Sequence, residues 1–228
     1  MFKNLISFWK GKSFLTEVLE EFKEMLDDTK YMFESVCRGL IEGKIAPNLK
    51  DKIYEIDRKV NRLEKEIRKR IVEHLSIQPA VDVPVSLVLM SVVKDAERIG
   101  DYCKNLFEII ELLDKPFKQE RFEELFNGID KKILEVFEKT QKAFMESDEE
   151  VAKEILYLER GVVKNCDDIV KKLAKSNLST NEAVCLTLLA RYFKRVAAHL
   201  ANIGSSVILP ISDLDFFDEK LRHEKNNA

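Results

Sequence analysis

Glu97 and Asp101 are two carboxylates whose spacing suits the binding of a cation. They lie four residues apart in the stretch Lys-Asp-Ala-Glu-Arg-Ile-Gly-Asp-Tyr-Cys-Lys-Asn of residues 94–105. On a helix this spacing places both carboxylates on the same side, where they can share a cation. Gly100 lies between them, and a helical glycine costs ~1 kcal/mol relative to alanine. It therefore indicates a close approach of another helix or of a ligand.

Two more acids, Asp57 and Glu64, lie seven residues apart on the preceding helical pattern, with Asn61 between them. Like Glu97 and Asp101 they flank an apolar seam, so we expect the two acidic edges to meet where the helices pack. Carboxylate-only ligation suits hard cations such as magnesium, manganese or iron. Clustered carboxylates repel one another and need a cation or a basic partner, for which Lys94 and Arg98 are candidates. The alternative is a solvated edge with weak salt bridges.

An internal repeat accompanies this motif. Residues 96–105 align without a gap with residues 193–202, and residues 57–67 align with the segment that begins at Glu159. In the second copy Lys194 stands in place of Glu97 and Ala198 in place of Asp101. We therefore expect any metal on the first half only.

The second copy keeps other polar residues. We expect Lys194 to pair with a nearby acid, either Glu159 or one of Asp167 and Asp168. His199 has no acid beside it in the sequence, which favours packing or a surface position over metal ligation.

The composition predicts amphipathic helices. The 228 residues are 45% hydrophobic and 35% charged, with only 7 Gly and 5 Pro to interrupt helices. A net charge of -3 and a pI near 5.8 argue against a nucleic-acid partner, since such domains usually carry a basic surplus. The four cysteines form no Cys-x-x-Cys pair, which excludes a zinc knuckle and favours buried thiols.

The apolar periodicity predicts six long helices, with every proline at a boundary. They cover residues 13–42, 49–76, 83–113, 117–145, 148–175 and 180–208. Three helix starts carry capping signals: Asp82 before Pro84, Ser147 with Glu150, and Ser179 with Glu182.

The predicted fold class is all-α, with two tandem antiparallel three-helix bundles related by the internal repeat. The expected divisions are an N-terminal amphipathic segment (1–12), a first bundle (13–114), a second bundle (115–209) and a polar tail (210–228). Residues 1–12 combine apolar side chains with lysines, which predicts packing on the protein itself or on a membrane surface.

Six helices in two repeats, together with residues 94–106, closely resemble the PhoU family of phosphate-transport regulators. Residues 57–67 resemble the second-helix motif of that family, and the resemblance extends over residues 14–207. It implies a cytoplasmic all-α protein that restrains phosphate uptake and phosphate-starvation signalling by contact with a transporter and a sensor histidine kinase.

Some family members bind metal clusters through acids on the third helix of each repeat. By this resemblance Glu97 and Asp101 match the metal motif, and Asp57 and Glu64 match its supporting acids. The remaining motif positions are Asn61, Arg98 and Asn105. The implied cofactor is a divalent or trivalent metal, namely iron, manganese, magnesium or zinc; no other cofactor is expected.

The sequence thus predicts a non-enzymatic regulator. No nucleophile is placed with its base, and no phosphate-cradling glycine loop or fitting histidine pair appears, so metal-dependent hydrolysis is disfavoured. The expected partner is a phosphate transporter component, from either an ABC transporter or a sodium-phosphate cotransporter. The alternative is a structural helical scaffold without metal. We also expect a homodimer, cytoplasmic and peripheral at the inner face of the membrane.

Overall fold

The computed structural model describes residues 13–43, 45–77 and 82–214, which form seven α-helices and no strand. The predicted N-terminal segment and all but the first residues of the predicted tail lie outside this range. The first half contains α1 (Ser13–Glu42), α2 (Leu49–Ile77) and α3 (Val83–Leu112). The second half contains α4 (Gln119–Phe126), α5 (Ile129–Glu146), α6 (Glu149–Leu173) and α7 (Thr180–Ser205), followed by a short 3-10 turn, Ile211–Asp213. The all-α fold of two repeated helical bundles is confirmed.

The predicted fourth helix is wrong in one respect, because it is broken into α4 and α5. Asn127 and Gly128 both adopt the left-handed conformation, with φ of 42° and 75°. Asparagine and glycine tolerate this conformation best, and Asn127 ends α4 with its N–H donated to the Glu123 carbonyl oxygen. Six predicted helices therefore become seven.

One of the three capping predictions is also wrong. Ser147 is the residue that ends α5, at φ 55°, and Asp148 caps α6 by accepting hydrogen bonds from the N–H groups of Glu150 and Val151. Asp82 is the N-cap residue of α3 with Pro84 in the first turn, as predicted, although its side chain makes no cap hydrogen bond. Ser179 caps α7 as predicted, since its Oγ accepts from the Glu182 N–H at 3.2 Å.

The two halves pack side by side through α1 and α3 of the first and α5 and α7 of the second. Aromatic rings cross this interface: the Phe33 ring lies 5.7 Å from that of Phe137 and 5.5 Å from that of Phe193. The buried apolar residues of both halves therefore form one continuous core. Among the described helices, none is both long and apolar enough to cross a membrane.

The four cysteines are free and buried, as the sequence predicts. Burial raises the pKa of all four thiols, that of Cys166 to about 12. A thiol with a raised pKa holds its proton and is a poor nucleophile. Their place in the fold is that of small apolar side chains.

Candidate functional site: a charged edge between two helices

The predicted acids of the first half lie on the edge where α2 packs against α3. Asp57 and Glu64 come from α2, and Glu97 and Asp101 from α3. The first three are buried, at 7, 6 and 9% exposure, whereas Asp101 is half-buried. Helical spacing places each pair on one face, and the packing of the two helices brings the faces together.

At one end of this edge Lys104 joins the two helices. Its Nζ donates to both carboxylate oxygens of Asp57 at 3.1 Å, and to Oδ1 of Asp101 at 3.1 Å. The other oxygen of Asp101 accepts from Arg98 at 3.0 Å. One ammonium group therefore takes the position between two acids in which a shared cation was expected.

At the other end Lys94 has the same role. Its Nζ donates to Glu97 Oε2 at 2.7 Å and lies 3.8 Å from Glu64 Oε1. Arg68 lies 2.9 Å from that same Glu64 oxygen. Within the described residues Glu64 Oε1 makes no aligned hydrogen bond, so both of its contacts are charge pairs.

Because Arg98 Nε also lies 3.7 Å from Glu97 Oε2, the contacts link into an unbroken chain of alternating charge. We call it the charge ladder. It runs through Asp57, Lys104, Asp101, Arg98, Glu97, Lys94, Glu64 and Arg68. Four acids face four bases, so the edge is neutral as a whole.

The charge ladder as it stands does not fit a metal ion. Its oxygen donors have the right chemistry, but lysine ammonium groups separate the two members of each interhelical acid pair. Among residues 13–43, 45–77 and 82–214, no three His, Cys, Asp or Glu side chains are grouped so that they could hold a metal. The acids predicted to converge on a cation converge instead on Lys104 and Lys94.

Opposing effects act on the Lys104 ammonium. Burial on its own lowers the lysine pKa, but hydrogen bonds to Asp101 and Asp57 and the charges of both acids outweigh it. The pKa of Lys104 is therefore raised above its ordinary value, and the ammonium form is held.

The other motif positions have packing roles or stand beside the charge ladder. Gly100 is buried, and a Cβ there would meet Thr29 Cγ2 at 3.6 Å and Val60 Cγ1 at 3.8 Å, which is ordinary contact. The close approach that the sequence indicated at Gly100 is therefore an ordinary helix contact, and it leaves room for a Cβ. Asn61 and Asn105 are half-buried on α2 and α3, and the links between the acids run through lysine and arginine instead.

The equivalent edge of the second half, between α6 and α7, is simpler. Lys194 donates to both oxygens of Asp167, one of the three acids considered, at 2.8 Å. The position equivalent to Asp101 is Ala198, and that equivalent to Lys104 is Ala201. The acid and the lysine that bridges it are thus replaced together.

A second polar cluster was missed by the sequence analysis. Asp95 and His199 are both buried, at 7 and 9% exposure, where α3 packs against α7. Asp95 Oδ1 lies 2.7 Å from His199 Nδ1 and accepts from the Asn202 amide at 3.0 Å. His199 is packed, which the sequence favoured, and its acidic partner Asp95 comes from the other half of the repeat rather than from the adjacent sequence.

This cluster extends to the surface through two residues. The Tyr102 ring stacks on His199 at a centroid distance of 5.6 Å, and these two residues occupy equivalent positions of the repeat. Arg195 donates to the Tyr102 hydroxyl at 3.1 Å and lies 3.3 Å from His199 Nε2. The sequence holds one sign of this cluster. Asp95 and Tyr102 lie seven residues apart on one face of α3, opposite Glu97, and Tyr192 and His199 have the same spacing on α7.

Comparison with known families supports the architecture in both halves. A family model described as the PhoU domain matches residues 22–110 and 127–207. A relative from Thermotoga maritima, named phosphate-specific transport system accessory protein PhoU homolog 1, is 24% identical over 202 residues, covering 84% of this chain and 79% of the relative. A second, from Synechocystis, named phosphate-specific transport system accessory protein PhoU homolog, is 33% identical over 79 residues, 34% of each chain.

Solved structures show the same fold. The crystal structure of PhoU from Pseudomonas aeruginosa superposes with a TM-score of 0.75 at 20% identity, covering 86% of this chain and 96% of that one. The phosphate transport system regulatory protein PhoU from Streptococcus pneumoniae gives a TM-score of 0.70 at 19% identity, with 86 and 95% covered. At these identities the likeness establishes the arrangement of helices.

Proposed function

The chain belongs to the PhoU domain family, and we propose that it is a non-enzymatic regulator of phosphate uptake and phosphate-starvation signalling. It would act by contact with a membrane phosphate transporter. The names of its relatives, which describe accessory proteins of a phosphate-specific transport system, support this role. A sensor histidine kinase is the second proposed partner.

The observation that carries the proposal is the charge ladder. The side chains of Lys94 and Arg98 are 40 and 47% exposed, so the α2/α3 edge presents charged groups to solvent although its acids lie inside. Ammonium and guanidinium groups carry several N–H donors, so Lys94 and Arg98 can bind acids of a partner while they keep the buried acids compensated. Complementary charges also direct the encounter of two proteins and fix its orientation. The ladder therefore suits a docking surface better than a reaction centre.

The experiment is capture of transporter components from phosphate-replete cells by the tagged full-length protein. The Glu97→Ala/Asp101→Ala double variant removes two acids and leaves Lys94, Arg98 and Lys104 without these partners. We expect it to lose most of the captured transporter. The matched control is Glu120→Ala/Glu124→Ala, an exposed carboxylate pair with the same spacing on α4.

Three results are informative. Capture of ABC-transporter components supports one transporter class, and capture of a sodium-phosphate cotransporter supports the other. If wild-type protein captures neither, or if both double variants behave as wild type does, contact through this edge is wrong. If wild-type protein captures neither, a structural helical scaffold is the better description.

Metal binding at Glu97, Asp101, Asp57 and Glu64 stays a prediction. Iron, manganese, magnesium or zinc would have to displace the lysine ammonium groups from between these acids. Elemental analysis of the purified protein, with the same two double variants, tests it. Stoichiometric metal in wild type that is lost only in Glu97→Ala/Asp101→Ala would support the site, and metal-free active protein would contradict it.

We also propose a cytoplasmic homodimer that acts at the inner face of the membrane. Long amphipathic helices and the family resemblance support association of two copies, and symmetric dimers are the commonest soluble oligomers. Light scattering over a range of concentrations measures the oligomeric state. A monomer at every concentration would contradict the homodimer without affecting the regulatory role.

A further inference from the structure

A line of positive charge runs along the outward face of α2. Arg58, Arg62, Lys65 and Lys69 have the i, i+4, i+7, i+11 spacing that keeps side chains on one helix face, and all four are exposed. They extend over about 16 Å of the helix axis. Ile67, which is buried in the core, lies on the opposite side of the helix. We call the four exposed residues the basic stripe.

The basic stripe concentrates positive charge in an acidic protein. α2 holds nine Lys and Arg against six Asp and Glu, whereas the whole chain has a net charge of -3. The two helices that pack against α2 are acidic: α1 holds three bases against eight acids, and α3 holds three against five. The positive charge of the first half is therefore gathered on one narrow line between two acidic helices.

The basic stripe has few partners within the described part of the chain. Among residues 13–43, 45–77 and 82–214, none forms an ion pair or hydrogen bond with Arg58, Arg62 or Lys65. Lys69 lies 3.7 Å from Glu73, and these side chains are 75 and 59% exposed. An exposed pair of this kind contributes little stability. A partner protein can therefore bind these four cations without breaking a strong internal salt bridge.

A cleft beside the basic stripe offers an anchor for one side chain of a partner. It has a volume of about 610 Å³, lies between α1 and α2, and is lined by Arg58, Arg62, Tyr31 and Lys52 among others. Tyr31 is 43% exposed, and the Lys52 ammonium lies 5.3 Å from the centre of its ring. Tyrosine and arginine side chains at pockets often carry much of the binding energy between proteins. The cleft holds four bases and three acids, so the net positive charge comes mainly from the stripe.

The second half has no equivalent stripe. By the alignment of the repeat, the corresponding residues of α6 are Arg160, Lys164, Asp167 and Lys171. Asp167 interrupts the line of bases, and Lys171 pairs with Asp168 at 2.9 Å. The helix packing that the two halves share therefore does not require a basic stripe on the first.

We propose that the basic stripe binds an acidic helix of a partner protein, which lies along α2 with its carboxylates facing Arg58, Arg62, Lys65 and Lys69. Complementary charges direct the encounter of two proteins and fix its orientation. A helix is about 10–12 Å wide, so it matches a narrow stripe, whereas a flat anionic membrane would also face the acids of α1 and α3. The inference goes beyond the proposed regulatory function, because it defines a surface distinct from the charge ladder by the chemistry of what it binds.

The experiment is fluorescence anisotropy of a labelled helical peptide titrated with the full-length protein. The peptide has about four helical turns of alanine and glutamine, with four glutamates at the spacing of the basic stripe. We expect saturable binding that weakens several-fold when NaCl is raised from about 50 to about 300 mM. Peptides in which glutamine replaces these glutamates, or in which the glutamates are distributed around the helix, should bind about tenfold more weakly or less.

The test variant is Arg58→Glu/Arg62→Glu, which should weaken binding of the glutamate peptide by about tenfold or more. The matched control is Arg160→Glu/Lys164→Glu, which makes the same change of charge at the equivalent exposed positions of α6. The control should bind the peptide as wild type does. Circular dichroism and the melting temperature establish that each variant is folded.

Four results would overturn the proposal. They are a wild-type protein that does not bind the glutamate peptide, equal binding of the peptide with distributed glutamates, wild-type binding by Arg58→Glu/Arg62→Glu, and an equal loss in both double variants. Cosedimentation of wild type with phosphatidylglycerol vesicles, lost in Arg58→Glu/Arg62→Glu while the peptide stays unbound, would assign the basic stripe to a membrane and would overturn it too.

Discussion

The α2/α3 edge of the first half and the α6/α7 edge of the second have the same origin in the repeat but hold charge differently. In the first, eight alternating charges connect two helices, and three of the four acids are buried. In the second, Lys194 bonds both oxygens of Asp167, and the side chains of this part-buried pair are 25 and 42% exposed. The first edge links four acids and four bases, whereas Lys194 of the second lies beside Ala198 and Ala201.

The difference shows that interacting charged residues were replaced together, rather than one at a time, as the two halves diverged. A buried acid without a counter-charge is costly, so Asp101 and Lys104 depend on each other. The second half has alanine at both equivalent positions, Ala198 and Ala201. Common to the two edges is a lysine on the second helix that bonds both carboxylate oxygens of an aspartate on the first.

The largest expected effect comes from removing the bridging lysine of each edge. Lys104→Met leaves buried Asp57 and neighbouring Asp101 without their shared cation, and we expect a loss of about 2–3 kcal/mol in the free energy of unfolding. Lys194→Met breaks a pair whose acid is 42% exposed and so is better solvated than Asp57, and it should cost less, about 1 kcal/mol. Urea unfolding in the presence of a chelator measures both, since methionine keeps the packing of the lysine stem. Equal losses would show that the two edges do not differ.

A smaller difference in stability is expected between two glycine-to-alanine variants, one in each half. A Cβ at Gly204 would lie 2.9 Å from Ile155 Cδ1 and 3.1 Å from its Cγ2, so Gly204→Ala should destabilise the protein by about 1–2 kcal/mol through overpacking. Gly100→Ala makes only ordinary contacts, and the gain in helix propensity should stabilise it by up to about 1 kcal/mol. Thermal unfolding shows whether each variant is less or more stable than wild type. If both variants lose the same stability, the packing described for Gly100 is contradicted.

The helices were predictable because their signals are local and numerous. Apolar spacing over 20 or more residues gave the long helices of the structure nearly to their ends. The break at Asn127–Gly128 was not predicted, since two residues with left-handed φ interrupt an apolar pattern that continues on both sides. The cap at Ser147 failed for a related reason: Asp148, one residue later, competes for the same N–H groups.

The site was predictable in its members but not in its contacts. Spacing placed Asp57, Glu64, Glu97 and Asp101 on one edge, whereas the choice between lysine and a metal as counter-ion depends on three-dimensional packing. Lys104 reaches Asp57 across 47 positions of the chain. The Asp95–His199 pair joins residues 104 positions apart, and no periodicity within one helix reveals such a partner.

The smallest expected effect is a difference in alkaline stability that Lys104 alone produces. The pKa of Lys104 in the folded protein is raised from 10.5, because its bonds to Asp101 and Asp57 outweigh the lowering by burial. A raised pKa gives stability that is complete below the unfolded value and is lost as the pH rises through the folded value. The excess stability of wild type over Lys104→Met should therefore be constant below pH 10.5 and shrink above it. Lys194→Met retains Lys104, so its free energy of unfolding should decline above pH 10.5 as that of wild type does. Urea unfolding at a series of pH values measures the decline in all three proteins. An excess that is already lost near neutral pH would mean that another group controls the charge ladder.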